Sequence, residues 1–335
     1  MGLETVIFTD QKNSPASFAT NQTIIANYGD ENALKQFAQM VDIATFEFEN
    51  IPVSAVKFIN SHIEVFPNPK ILEITQHRIL EKSFLNSIGV KTTEYDEISS
   101  LEDLEKNLEK FGKAILKTAL MGYDGKGQFV LKNIADAKNA WLKAEKQKLV
   151  LEKFCPFDSE ISVVVARSNK GEIAVYEPLT NIHKNGILDE SHYPAKISQN
   201  LKTKAQEIAK KIAEKLDLTG VLAVEFFVIG EELLVNELAP RPHNSGHFSM
   251  DAAITSQFEQ LIRAITNLPL GSTKFHSQGY MKNLIGDEVQ DLEKFYQNSC
   301  AKIHLYGKSE IKAGRKMGHV NILNQIQTSV EFDLA

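Results

Sequence analysis

Cysteine is scarce in this sequence. Two thiols, Cys155 and Cys300, are spread over 335 residues, too few for a disulfide framework, and such usage fits a reducing compartment. No apolar run approaches the ~20 residues that a membrane-spanning helix needs. The N-terminus has no basic stretch leading into an apolar one. Neither a membrane span nor a secretory leader is expected, and the expected location is cytoplasmic. Positive charge is also in deficit: 37 Lys and Arg against 43 Asp and Glu give a net charge of −6. That removes the basic field that gathers nucleic acid, so any polyanion must be met by a local cluster. Internal repeats and low-complexity tracts are lacking too. So is a glycine-rich, phosphate-holding turn after a first strand, with which an α/β nucleotide domain usually opens. Leu3–Asp10 reads as a second strand, so either the fold begins differently or the start is truncated or misassigned, and a simple dinucleotide-dependent dehydrogenase is disfavoured.

The length suits two or three domains, and 43% apolar with 24% charged residues is ordinary for a globular chain. Leu3–Asp10, a short strand and helix capped near Asp30, a strand over Asp42–Asn50 and "IEVFPNP" alternate as in a small parallel α/β domain over residues 1–75. Thr75–Thr92 reads as a helix closed by Gly89. "AILKTAL", "GQFVLK", "KLVLEKFC" and "SEISVVVARS" read as strands. Leu201–Leu216 is an amphipathic helix with the stripe Ala205, Ile208, Ala209, Ile212, Ala213, Leu216. Residues 271–335 form a short β-rich tail.

The strongest chemical signal is "VLAVEFFVIGEELLVNELAPRPHNSGH", Val221–His247. Two strands flank "GEE", and a turn centred on Glu231 sets Glu225 opposite Glu237 on one face. Facing like charges destabilise a ladder unless a cation or a shared proton intervenes. Mg²⁺, held by one or two carboxylates plus substrate phosphates, is the economical partner; a turn centre displaced by one would instead send one glutamate to solvent. "MGYDGKGQFV" supplies glycines that let backbone N–H groups approach a phosphate, although a glycine-rich hairpin tip serves turn geometry equally well. Lys117, just before it, can reach phosphates as a point charge or simply snorkel. The strand end Glu152–Cys155, if its amides are free, can read an adenine edge, and Glu160 can accept ribose hydroxyls. In "PRPHNSGH", Pro240, Pro242 and Gly246 forbid a regular helix, so His243 and His247 are expected on a polar loop over the reacting groups, without zinc. Lys312, Arg315 and Lys316 form a basic turn suited to a phosphate or an oxyanion, or an ordinary surface loop.

Taken together, "TFEFENIP", "QHRILEK", "GYDGKGQ", "NELAPRPHNSGH", "SQFEQLIRAITNLPL" and "AGRKMGHVN" resemble the ATP-grasp superfamily and, within it, the 5-(carboxyamino)imidazole ribonucleotide synthases. The resemblance covers nearly the whole chain. It implies a fold of mixed α/β and α+β class: an N-terminal parallel α/β domain lacking its first strand (1–75), an ATP-grasp domain of two α+β subdomains (76–270, lid about 76–148), and a small β-rich C-terminal domain (271–335). It implies ATP held by Arg78, Lys117, the lid residues Gly122, Tyr123, Asp124, Gly125, Lys126, Gly127 and Gln128, the strand end Glu152, Lys153, Phe154 and Cys155, and Glu160, His183, Asn236 and Glu237. Mg²⁺ would sit on Glu225 and Glu237. The aminoimidazole ribonucleotide would lie near Glu47, Tyr123, Asn244, Ser245, Lys312 and Arg315, with Asp124, His243, Asn244, Lys312 and Arg315 serving catalysis. The implied chemistry is phosphoryl transfer to bicarbonate, then carboxylation of the ribonucleotide amine, in a homodimer that binds neither nucleic acid nor membrane. Formate-dependent glycinamide ribonucleotide transformylase shares the fold but is expected to differ at "HNSGH". An ATP-binding protein without turnover is the alternative from another class. A start without the glycine turn is expected to weaken ribonucleotide binding.

Overall fold

The computed structural model describes residues 1–20, 22–120, 127–144 and 148–326. Near the N-terminus β1 (Val6–Thr9) pairs in parallel with β2 (Gln22–Ile25), and β3 (Ile43–Thr45) with β4 (Glu64–Phe66). Parallel neighbours need a crossover; the helix Val53–Asn60 supplies it for the second pair. Asp30 caps the helix Glu31–Met40 by accepting from the Ala33 amide at 3.1 Å. The two pairs are separate sheets over one core, in which Phe37, Ala44, Val56, Val65 and Leu72 meet Val6, Phe8 and Ile24. The strand expected over Asp42–Asn50 stops at Thr45, which leaves Glu47 and Glu49 on a turning segment.

The helix expected over Thr75–Thr92 runs from Arg78 to Ser87, and a separate helix, Pro69–Thr75, precedes it. Between them His77 is extended and bridges Leu120, and the Arg78 amide bonds Ala119 O at 2.9 Å. A cross-strand contact thus overrides local helix propensity. Gly89 closes the second helix in the left-handed region, φ 71°, as expected.

Four antiparallel strands follow: β5 (Tyr95–Ile98), β6 (Ala114–Thr118), β7 (Gln128–Leu131) and β8 (Leu149–Lys153), in the order β5-β8-β6-β7. The helices Leu101–Phe111 and Ile134–Lys143 cover the sheet, with Leu104, Leu108, Ala137 and Ala140 packed on Leu116, Leu131 and Leu151.

The large sheet has nine antiparallel strands: β9 (Ser159–Arg167), β10 (Ile173–Val175), β11 (Leu179–Lys184), β12 (Ile187–Tyr193), β13 (Gly220–Ile229), β14 (Glu232–Ala239), β15 (Ser277–Ile285), β16 (Ala301–Leu305) and β17 (Lys316–Ile326). Their order is β14-β13-β9-β11-β12-β15-β17-β16, with β10 on β9. The expected stripe of the helix Gln199–Lys215 buries Ala205, Ala209, Ile212 and Ala213 against Ile161, Val163, Val165, Leu222 and Val224. Side chains alternate along a strand, so Glu160, Ser162 and Glu225 stand on the opposite face, where the candidate site lies. The three tail strands extend this same sheet, since β15 pairs with β12.

Candidate active site

Glu225 does face Glu237, by a route that differs from the expected one. From the tip the ladder runs Ile229↔Glu232 to Phe226↔Val235, a register that would set Glu225 against Asn236. A register shift between Phe226 and Glu225 then restores the carboxylate pair, and Asn236 is the extra residue of a β-bulge. Glu225 is nearly buried and Glu237 about 40% exposed. Burial and the facing Glu237 push the Glu225 carboxyl well above its usual range, while His183 and Lys316 pull it down. Among the described residues no three His, Cys, Asp or Glu side chains are placed to hold a metal. Two facing carboxylates with Asn236 beside them fit a hard cation that takes its other ligands from phosphates.

Behind this pair lies a buried charge cluster. Glu152 Oε2 accepts from Lys117 Nζ at 3.0 Å and from Thr93 Oγ1 at 3.1 Å, and Lys82 Nζ lies 3.4 Å away. Burial opposes ionisation, but Lys117, Lys82 and Arg78 outweigh it and hold the Glu152 carboxyl at about 2. Burial lowers the Lys117 ammonium against the pull of Glu152. Arg78 Nη1 lies 3.5 Å from Glu237 Oε2, so the cationic side reaches the acidic pair directly. The cluster combines lysines from the helix Arg78–Ser87 and β6 with an acid from β8. Glu81 and Lys82 lie inside the quoted "QHRILEK" without having been singled out, and Thr93 carries no sequence signal of its own.

Glu81 Oε1 accepts from the Leu238 amide at 2.7 Å, tying that helix to β14 beside Glu237. Burial and Glu237 raise its carboxyl to about 8. The folded chain therefore holds a proton that the unfolded chain releases near ~4.5, so this group withdraws stability as pH rises from about 4.5 towards 8. Glu152 acts oppositely, its contribution vanishing as pH falls from ~4.5 towards 2. Glu81→Gln, whose carbonyl still accepts from Leu238, is expected to flatten the fall in Tm between pH 5 and 8. Parallel Tm–pH curves for both proteins would show that Glu81 does not carry the effect.

The segment after β14 is a 3₁₀ turn, Asn244–Phe248, where a polar loop was expected. Arg241 Nη2 pairs with Glu49 Oε1 at 2.7 Å, joining the N-terminal segment to β14. Asn244 and Asn283 exchange amide hydrogen bonds at 2.9 and 2.6 Å. Ser245 is fully buried, bonded to Ser162 Oγ at 2.8 Å, so its hydroxyl faces inward. His183 Nδ1 meets Glu160 Oε2 at 2.8 Å. Two amides of the strand end after Glu152 are already engaged: Lys153 N bonds Glu94 O at 2.9 Å and Phe154 N bonds Lys113 O at 3.0 Å. The ring of Phe154 lies under Lys113 and Cys155 is half-buried. Lys312 is exposed and paired with Glu310 at 2.6 Å, and Arg315 Nη1 donates to Glu310 O at 3.1 Å. The charge of Lys308 instead acts on Glu47 together with Arg241. Sequence signals had singled out neither Lys308 nor Arg241, although Arg241 lies inside the quoted motif. Gly127 and Gln128 form the described edge of the lid; Gly122, Tyr123, Asp124, Gly125 and Lys126 lie outside the described residues. A Cβ on Gly127, at φ 69°, would come within 2.8 Å of Thr118 Oγ1.

Family models match three stretches: a ribonucleotide synthetase preATP-grasp domain over residues 1–76, an ATP-grasp domain over 83–258, and a phosphoribosylaminoimidazole carboxylase C-terminal domain over 279–331. The N5-carboxyaminoimidazole ribonucleotide synthase of Bacillus subtilis is 42% identical over 328 residues, covering 97% of this chain and 86% of that protein. The chain belongs to the N5-carboxyaminoimidazole ribonucleotide synthase family. Another relative, the bifunctional purine synthesis protein purC/E of Dictyostelium discoideum, is 42% identical over 96% of this chain, which spans 34% of that longer protein. A solved N5-carboxyaminoimidazole synthase from Aspergillus clavatus, in complex with ADP and 5-aminoimidazole ribonucleotide, superposes with a TM-score of 0.89 at 28% identity, over 96% of this chain and 88% of that one. The synthase family thus carries the expected architecture. No helix of the described residues is long and apolar enough to cross a membrane.

Proposed function

We propose that this chain uses ATP and bicarbonate to carboxylate the exocyclic amine of 5-aminoimidazole ribonucleotide, releasing ADP and phosphate. The observation that carries this reading is the facing pair Glu225 and Glu237, met on one side by Arg78 and on the other by the turn that holds His243 and Asn244. Glu225, Glu237 and Asn236 would hold Mg²⁺, which neutralises charge on the nucleotide phosphates when bound. Lys117, fixed by Glu152, and Arg78 offset charge developing on the transferred phosphoryl group. Bicarbonate attacks the γ-phosphate and ADP leaves. The resulting carboxyphosphate gives up phosphate to leave CO₂, which the amine attacks and then loses a proton. A lid over residues 122–128, with Tyr123 and Asp124 turned to the ribonucleotide, would exclude water. Glu160 and His183 suit the ribose, and the backbone of Glu152–Cys155 the base through those groups not already used. Glu47, Asn244 and Arg315 would contact the ribonucleotide, with Lys308 a better-placed cation than Lys312.

We also take the chain to be a cytoplasmic homodimer with domains 1–75, 76–270 and 271–335. The deciding measurement is ADP release from Mg-ATP and bicarbonate with and without 5-aminoimidazole ribonucleotide. Stimulation of about tenfold or more is expected, on the scale that positioning alone supplies. Stimulation by glycinamide ribonucleotide with formate instead would make the chain the related transformylase. ATP binding with no turnover under either condition would make it a binding protein.

A further inference from the structure

The hydrogen bonds around His243 commit one of its ring nitrogens. The Ser245 backbone N–H donates to Nδ1 at 3.3 Å, and Ser245 Oγ lies 2.8 Å from the same nitrogen. A nitrogen that receives an amide hydrogen presents its lone pair and carries no proton. Ser245 Oγ accepts from Ser162 Oγ at 2.8 Å, which leaves its own hydrogen for Nδ1. Both serines are fully buried, so bulk water does not offer another partner. Ser162 sits directly across from Glu225 in the sheet, and His243 Nε2 lies 3.5 Å from Glu225 Oε1.

The backbone of His243 is gripped as firmly as its ring. Its N–H donates to Gln257 Oε1 at 2.9 Å, and its carbonyl accepts from Gln257 Nε2 at 2.7 Å. A Cβ at Gly246 would come within 2.6 Å of Gln257 Oε1, so a larger residue there would push on the side-chain amide that grips His243. Burial, with Arg241 and Lys316 adding to it, keeps the ring neutral.

We propose that Ser162 and Ser245 are positioning residues that lock His243 as its Nε2–H tautomer. His243 then serves the reaction as a hydrogen-bond donor, to Glu225 and to the oxyanions of the carboxyl-transfer steps, and not as the base that takes the amine proton. This role rests on the carboxylation reading above, whereas the tautomer itself does not.

The test separates the two. In protein labelled with ¹⁵N-histidine, His243→Gln identifies the His243 signals by their loss. The expected pattern in the parent is a pyridine-type Nδ1 and a pyrrole-type Nε2, with the Nδ1 shift displaced in Ser245→Ala. In the ADP-release assay Ser245→Ala is expected to lower kcat by roughly 10–100-fold with KM for ATP unchanged. His243→Gln, whose amide N–H can occupy the Nε2 position, is expected to exceed His243→Ala and His243→Asn by about tenfold. A pyrrole-type Nδ1 in the parent would overturn the lock whatever the activities of the variants. A folded, ATP-binding His243→Gln no more active than His243→Ala would overturn the donor role. The expected tautomer in a parent that never responds to the ribonucleotide would uphold the lock and remove the carboxylation reading.

Discussion

Glu225→Gln is expected to reduce ribonucleotide-stimulated ADP release by about 10³-fold at saturating ATP. The carboxylate is one of two that would hold the divalent cation, and such a contact supplies several kcal/mol of charge stabilisation, with ~1.4 kcal/mol for each factor of ten. The same substitution should act in the opposite sense on stability. Without divalent cations the parent sets two carboxylates face to face on neighbouring strands, which costs up to about 1 kcal/mol. Glutamine at 225 relieves that, so in chelator the variant should melt slightly above the parent, and added Mg-ATP should reverse the order. Glu225 is the cleaner position to change because Glu237 also pairs with Arg78. Activity within tenfold of the parent would remove Glu225 from the metal site.

The second large effect is expected at Glu152, whose Oε2 is the shared acceptor of Lys117 and Thr93 and the counter-charge of Lys82. Glu152→Gln keeps an acceptor for Thr93 and removes the carboxylate charge that pairs with both ammoniums. Lys82 and Lys117 are 1% and 6% exposed, so water cannot replace it. Breaking one side of a buried pair costs about 3–5 kcal/mol, to be read by urea unfolding. Adding Lys82→Met should recover much of the loss by removing one orphaned charge. A loss of less than about 1 kcal/mol in Glu152→Gln would mean that the lysines reach water after all.

The facing carboxylates were legible because strand alternation and a short turn constrain which residues oppose one another. The outcome was nonetheless reached by two offsetting errors of register. The ladder starts half a residue earlier than a turn centred on Glu231 implies, and the bulge at Asn236 makes up the difference. Bulges leave no mark in the hydrophobic pattern, so this could not be foreseen. The break at His77 was hidden for a similar reason, since its partner Leu120 is 43 positions away in sequence. Lys312 attracted attention through its basic neighbours, yet it points to Glu310, whereas the charge of Lys308, in the same charged stretch, acts on Glu47. Glu81, Thr93 and Gln257 act through backbone amides or buried partners, and such roles depend on tertiary neighbours that composition does not report. The helix stripe from Ala205 to Ala213, by contrast, was plain, because a 3.6-residue period and a single packing face say the same thing.

The pairing of β12 with β15 alters what the C-terminal quarter of the chain is. β12 is an interior strand, flanked by β11 and β15, and its outer backbone groups find their partners only after residue 277. Shortening the chain before β15 would strip those groups of partners and turn β12 into a sticky edge, open to pairing with other chains. The tail is thus the sheet's own seal against aggregation. It also bears Asn283, which holds Asn244 by two hydrogen bonds, so loss of the tail would reach the site through its geometry as well as through solubility.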